Sequence, residues 1–375
     1  MNRRHFLSGS VQALMAGIGT AFGRKKAKAA DDAPRFLSAC GVADKGGKLA
    51  FAAAAIDGAG DAVLESALQM RAHEIALHPD GARFLAVGRQ PGRYSCMIDL
   101  SDGRKLYDLS IADDHEFNGH AVFPGKGAQI IATEEHVETS VGRLGFYDAA
   151  TGAWLQGWPS HGIEPHELIL DEKNNRLIVA NGGILQRHAV GEVDSSLVIL
   201  DLRDGKPIAA GRLPEDLASL SMRHMALTAK GDVVCGMQDQ DAQSDLRPLV
   251  CLLGPAGNIR FLDIPRDLAM TLRGYVGSVA VDASGWVACA TSPKGNVAMF
   301  WDLRREAWLG QVTVADGCGV AGNGKAGGFV VTGGKGDIVE IATLDAGGRP
   351  MQPKARALAK NARWHWDNHL TRIPA

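Results

Sequence analysis

Polar and apolar positions in this chain recur in short blocks, not in long helical periods. Arg71-Ala-His-Glu-Ile-Ala-Leu-His-Pro-Asp-Gly81 is a polar opener, a brief apolar strand and a glycine turn. Versions of it return at Gly119-His-Ala-Val-Phe-Pro-Gly-Lys-Gly127, Pro165-His-Glu-Leu-Ile-Leu170 and Arg223-His-Met-Ala-Leu-Thr-Ala-Lys-Gly231. Weaker copies lie at Gly277-Ser-Val-Ala-Val-Asp-Ala-Ser-Gly285 and Gly317-Cys-Gly-Val-Ala321. Short apolar runs bounded by turn residues predict strands. A second marker, a β-run ending in an acidic residue and a turn, falls at Asp57, Asp99, Asp148, Asp201, Asp302 and Asp345, with Gly254 filling the one gap. These seven positions lie 42 to 53 residues apart, the period of a WD40/YVTN-like repeat with four strands per blade. The predicted fold is all-β, a seven-bladed β-propeller.

The openers are one short of the turns, and the difference is informative. Residues 36–68 supply three strands without an opener, which Asn368-His-Leu-Thr-Arg-Ile373 can provide. The last blade is then closed by N- and C-terminal strands, so no open edge remains. No linker interrupts residues 31–375, and they are read as one domain. The 46 glycines against 15 prolines suit its many tight turns.

Residues 1–30 stand outside this pattern. Asn2-Arg-Arg-His-Phe-Leu7, the apolar run from Val11 to Phe22 and then Ala27-Lys-Ala29 predict a twin-arginine (Tat) signal peptide and a periplasmic location. The apolar run is too short for a stable membrane span. Export in the folded state favours a bound metal or cofactor. The signal carries six Lys/Arg and no acid, leaving 34 basic against 42 acidic residues, so nucleic acid is not an expected partner. Six cysteines without a C-x-x-C exclude a zinc knuckle and a redox dithiol, and their apolar surroundings predict buried thiols. Cys235 and Cys251 are expected on neighbouring strands of one blade, where a bridge is one alternative. A monomer is expected.

In a propeller the start of strand 1 and the loop between strands 2 and 3 share one face. The strand-1 starts bring His73, His120, His166, His224 and His369 to a channel mouth, with Glu74, Glu116 and Glu167 nearby. The strand 2–3 loops add Arg89, Glu134, Asn181 and Gln238 as candidate ligand-binding residues. Neutral imidazoles beside carboxylates are suitable ligands for iron, copper or zinc. Against this, propeller histidines often hydrogen-bond within a blade and bind nothing. The register also slips: aligned on the following turn, His120 and His224 fall at the place of Glu74, and a slip of one residue turns a side chain to the other face. Thr133-Glu-Glu-His136 reads as a solvated loop. Asp239, Asp241 and Asp245 lack the glycine and terminal glutamate of a calcium loop. No G-x-S-x-G nucleophile elbow is present.

Gly119-His-Ala-Val-Phe123, Gly162-Ile-Glu-Pro-His-Glu167, Ala180-Asn-Gly-Gly-Ile184, Ser221-Met-Arg-His224, Thr291-Ser-Pro-Lys-Gly-Asn296 and Trp366-Asp-Asn-His-Leu370, together with the export signal, resemble one family. It is a group of Tat-exported bacterial propellers described only as a domain of unknown function. Its members are found near imelysin-type and di-haem peroxidase-like proteins in iron-uptake clusters. The resemblance implies a periplasmic accessory role in iron acquisition and carries no activity over. The family often has Gly-Pro-His where this chain has Glu164-Pro-His166. Two functions follow as expectations: a metal or metal-complex binding protein using the histidines, or a scaffold docking an imelysin-like or haem-containing partner with no metal of its own. A lyase or oxidoreductase is the weaker third.

Overall fold

The computed structural model describes residues 33–44, 46–185, 193–241 and 246–374. The proposed signal, residues 1–30, and Asp245 lie outside the described residues. Seven antiparallel sheets form a seven-bladed propeller. Six begin on an innermost strand that coincides with one of the repeated openers: Ala72–Leu77, His115–Val122, Pro165–Asp171, Leu220–Leu227, Ser278–Val281 and Gly317–Gly322. In each of these sheets the next three strands follow outward in sequence order. In the seventh, Trp364–Trp366 and Thr371–Arg372 both pair with Phe36–Ala43, so the two ends of the propeller close the ring.

Burial explains the pattern of polarity. Second strands such as Arg176–Asn181 and Val287–Ser292 are buried along their whole length, so they read as continuous apolar runs and not as alternations. Outer strands such as Pro207–Arg212 are largely exposed. The core lies between blades: Leu85 and Met97 of one pack with Phe117, Ile130 and Tyr147 of the next.

The six acidic markers close their third strands by a common device, and Gly254 ends the seventh. The side chain of Asp57 accepts the amides of Ala59 and Asp61 (2.9 and 2.8 Å), and Asp345 accepts those of Gly347 and Arg349 (both 2.9 Å). Asp99, Asp148, Asp201 and Asp302 each take the amide two residues on. A carboxylate that replaces a backbone turn bond in this way favours Asp at the end of each third strand. Cys235 faces Cys251 in register across one blade, and all six cysteines are buried free thiols. Trp364 and Trp366 stack on one another and pack the closing blade.

Candidate metal centre

The slip in register between histidine-bearing strands is absorbed by β-bulges. Pairing between the first and second strands shifts between Ala72 and Ile75, Phe117 and Ala121, Pro165 and Glu167, and Met222 and His224. Each shift spans or borders a histidine, and a bulge re-aims the side chain it carries. Gly119 makes the bulge before His120 possible: its φ is +107°, and a Cβ there would stand 2.6 Å from the His73 ring. His369 arrives from the opposite end of the chain, between the two closing segments, with its carbonyl accepting a bond from Ser38 Oγ (2.8 Å).

The five rings meet in one cluster. His73 lies with ring centroids 5.0 Å from His120, 5.4 Å from His166 and 4.6 Å from His369, and His224 is 4.9 Å from His166 and 4.7 Å from His369. One ligand nitrogen from each of His73, His120, His166 and His224 falls within a set spanning at most 4.8 Å. Four imidazoles around one ion at the usual bond length place their nitrogens about 3.3 to 4.1 Å apart, so closing on a metal needs movements under about 1 Å. The cluster is not an open mouth: none of the five histidines is more than 9% exposed. Nε2 of His120, His166 and His224 is buried with no hydrogen-bond partner among the described residues.

A charged layer holds the other edge of four of the rings, those of His73, His120, His166 and His224. Glu74 Oε2 lies 3.1 Å from His120 Nδ1, and Glu167 Oε2 lies 3.2 Å from His224 Nδ1. Arg223 Nη1 is 2.9 Å from His166 Nδ1 and 3.1 Å from Glu164 Oε1. Arg89 Nη1 is 3.3 Å from both His73 Nδ1 and Asp367 Oδ1, and Asp367 also binds Arg71 Nε at 2.5 Å. Glu164 thus sits in this layer, at a φ of +50°.

Burial holds the His73, His166, His224 and His369 imidazoles well below their ordinary range, with neighbouring histidines and guanidiniums acting in the same direction. Burial also lowers His120, but the carboxylates of Glu167 and Glu74 outweigh it and the group is raised. Glu167 is pushed up to about 8 by burial. Four of the five rings are therefore neutral near neutrality, the form in which imidazole binds a metal.

Of the other residues singled out from the sequence, Arg89 joins the cluster. Glu134 lies in the strand Gln129–His136, buried against Arg143 Nε (2.7 Å) and Tyr147 Oη, so the expected solvated loop is a buried strand instead. Asn181 donates to Ser160 O and Ser196 Oγ, both at 3.2 Å, and Gln238 to Val276 O at 3.2 Å. These three make bonds within the propeller framework. Glu116 is buried on the inner strand His115–Val122. Asp239 accepts from Ser219 Oγ (2.6 Å) and the Asp241 amide (3.0 Å). Arg223 and Asp367 escaped notice as members of the site. Their signal is adjacency, since Arg223 precedes His224 and Asp367 stands two residues before His369.

Fold and site together define a seven-bladed β-propeller with a buried histidine cluster able to hold a metal ion. The chain belongs to the family described as "Protein of unknown function (DUF1513)", whose profile matches residues 66–373. No curated protein matches it. Among solved structures it is similar to Kuenenia stuttgartiensis hydrazine synthase (13% identity, 76% of this chain and 89% of that one, TM-score 0.60). It is also similar to the Pseudomonas aeruginosa periplasmic gluconolactonase PpgL (12% identity, 90% and 100%, TM-score 0.58). A third likeness is to the β-propeller domain of Myceliophteria thermophila Cps50 (Swd1) (13% identity, 80% and 94%, TM-score 0.56). At these identities the likeness is one of fold. Among the described residues no helix is long and apolar enough to cross a membrane.

Proposed function

We propose that the histidine cluster holds one first-row transition metal ion, iron or copper, and that the protein is a periplasmic metal-binding accessory in iron acquisition. The observation that carries this is the set of buried, unpartnered Nε2 atoms of His120, His166 and His224 in one cluster. A buried polar atom without a partner costs about 1–3 kcal/mol, and three in one place make an arrangement that a bound ion relieves. Imidazole nitrogens suit iron, copper and zinc and disfavour calcium and magnesium. The carboxylates behind His120 and His224 are the outer partners that orient a ligating histidine. The periplasmic setting is supported by Arg3-Arg4 and the apolar run after them, and the role in iron acquisition by the family resemblance.

The test is metal content by elemental analysis of protein purified from the periplasmic fraction, followed by titration of chelator-treated protein with Fe(II), Cu(II) and Zn(II). About one equivalent is expected, abolished by His120→Ala with His224→Ala while circular dichroism stays that of a folded β-protein. Protein confined to the cytoplasmic fraction overturns the export. A folded wild type that takes up none of the three ions overturns the metal centre and leaves the scaffold reading, whose partner is then sought among imelysin-like and haem-containing proteins.

A further inference from the structure

The clustered histidines are not equivalent. A neutral imidazole has one N–H and one lone pair, so the group facing Nδ1 decides what Nε2 can do. A guanidinium has donors only. Arg223 therefore selects a lone pair on His166 Nδ1 (2.9 Å) and places the proton on Nε2; Arg89 does the same for His73 (3.3 Å). A carboxylate selects the reverse. Glu74 on His120 holds the proton on Nδ1 and leaves a lone pair on Nε2. Glu167 does the same for His224 in either protonation state, because the Oε2 that faces Nδ1 already accepts the Met225 amide and the carboxyl's own proton then sits on Oε1. Both carboxylates are fixed by a second bond, to the amide of the residue after the histidine, Ala121 (3.2 Å) and Met225 (3.1 Å). Around the ring the Nε2 atoms thus alternate: donor at His73, acceptor at His120, donor at His166, acceptor at His224. The donor of His73 is met by His369, whose Nε2 lies 3.3 Å away. The donor of His166 meets no acceptor among the described residues.

From this alternation we propose that the metal is held by the lone pairs of His120 and His224, while His166 Nε2–H donates a hydrogen bond to a small anion at an open position on that metal. The inference rests on the metal reading above. For His166 to ligate through Nε2, its proton would have to move to Nδ1 and face Arg223, which is buried and held by Glu164 (3.1 Å). Two ligating imidazoles leave a first-row ion open to further ligands. Arg89 and Arg223 behind the donors make negative charge favourable there. The space among nitrogens no more than 4.8 Å apart limits the anion to a few atoms.

Azide, as a probe of small anions, is titrated into Cu(II)-loaded protein while the visible spectrum of the metal is followed. His224→Leu is expected to lose the copper. His166→Leu and His166→Gln are both expected to keep about one equivalent. Azide binding should weaken about ten- to a hundredfold in the leucine variant, the range of a hydrogen bond to a charged group. It should recover in part in the glutamine variant, which retains an N–H donor. Ring ¹⁵N spectra of the metal-free wild type do not depend on any variant folding; recorded at a pH high enough that His120 has lost its second proton, they should show Nε2–H at His73 and His166 and Nδ1–H at His120 and His224. Loss of copper from His166→Leu to the same degree as from His224→Leu, one tautomer at all four rings, or azide affinity untouched by either His166 substitution overturns the proposal and leaves the metal centre standing. Wild-type protein that takes up none of Fe(II), Cu(II) and Zn(II) overturns both; where it takes up iron and not copper, the same azide titration is read on the iron.

Discussion

At the scale of single residues, the histidines were legible in the sequence because each opens a repeat, whereas the charges behind them were only partly so. Glu74 and Glu167 follow a histidine directly and stood out; Arg223 and Asp367 lie just before one and act across blades, which spacing along one strand does not reveal. The same layer makes stability depend on pH. Glu135 is buried, accepts from Gln90 Nε2 at 2.9 Å and from Asn118 Nδ2 at 3.2 Å, and is pushed up to about 7 by its burial. The unfolded chain releases this proton near 4.5 while the native state keeps it to about 7, so the native state binds more protons in that window and stability falls as pH rises through it. Below about 6.5 the depressed histidines act in the opposite sense, since they must charge on unfolding. From pH 6.5 to 8 Glu135, Glu167 and the raised His120 lower stability as pH rises, offset in part by the four depressed histidines, which are still partly charged in the unfolded chain near 6.5. In metal-free protein the unfolding free energy from urea titration should drop across that window by on the order of 1 kcal/mol, with a shallower slope in Glu135→Gln. A wild-type slope no steeper than that of Glu135→Gln would show that this carboxyl titrates normally.

At the scale of elements, blade number and turn positions were legible because the Asp markers follow from local chemistry: a carboxylate capping amides two to four residues on needs no tertiary partner. The direction of the histidines was not legible. Strict alternation puts His73 and His120 on different faces of equivalent strands, and only the bulges bring them together. A bulge depends on which residue of the second strand is left unopposed, and that is a property of the pair. Thr133-Glu-Glu-His136 misled for a related reason, because its polarity is satisfied inside the sheet by Arg143 and Tyr147, and not by solvent. Gly119 tests the bulge directly. Gly119→Ala must place a methyl 2.6 Å from the His73 ring at a φ of +107°, whereas Gly125→Ala has a φ of +59° with open space around it. The control should cost about 1 kcal/mol for the backbone alone, and Gly119→Ala about 2–3 kcal/mol. Equal losses in chemical denaturation would mean that close approach to His73 does not constrain this bulge.

At the scale of the whole molecule, ring closure and the site depend on the same short segment. Residues 362–374 supply the innermost strand of the first blade, bury Trp364, Trp366 and Leu370 against Phe36, Cys40 and Ala52, and bring Asp367 and His369 to the histidine cluster. Three large apolar side chains at about 1.5–3 kcal/mol each amount to roughly 5–9 kcal/mol, comparable with the whole stability of many domains. Without the segment, Phe36–Ala43 becomes an unpaired edge facing solvent. A chain ending at Asn361 is therefore expected to lose cooperative thermal unfolding, and a synthetic peptide of residues 361–375 added in trans should restore it by strand addition. The same peptide carrying His369→Ala separates the two roles. It should restore the transition nearly as well, because closure rests on the tryptophans and the strand, but it should leave His73 Nε2–H without its acceptor. That loss is readable as a shift in the His73 ring nitrogen resonance. A truncated protein that melts at the wild-type midpoint would show that the ring holds without its closing strand, and that the two ends meet for the sake of the site alone.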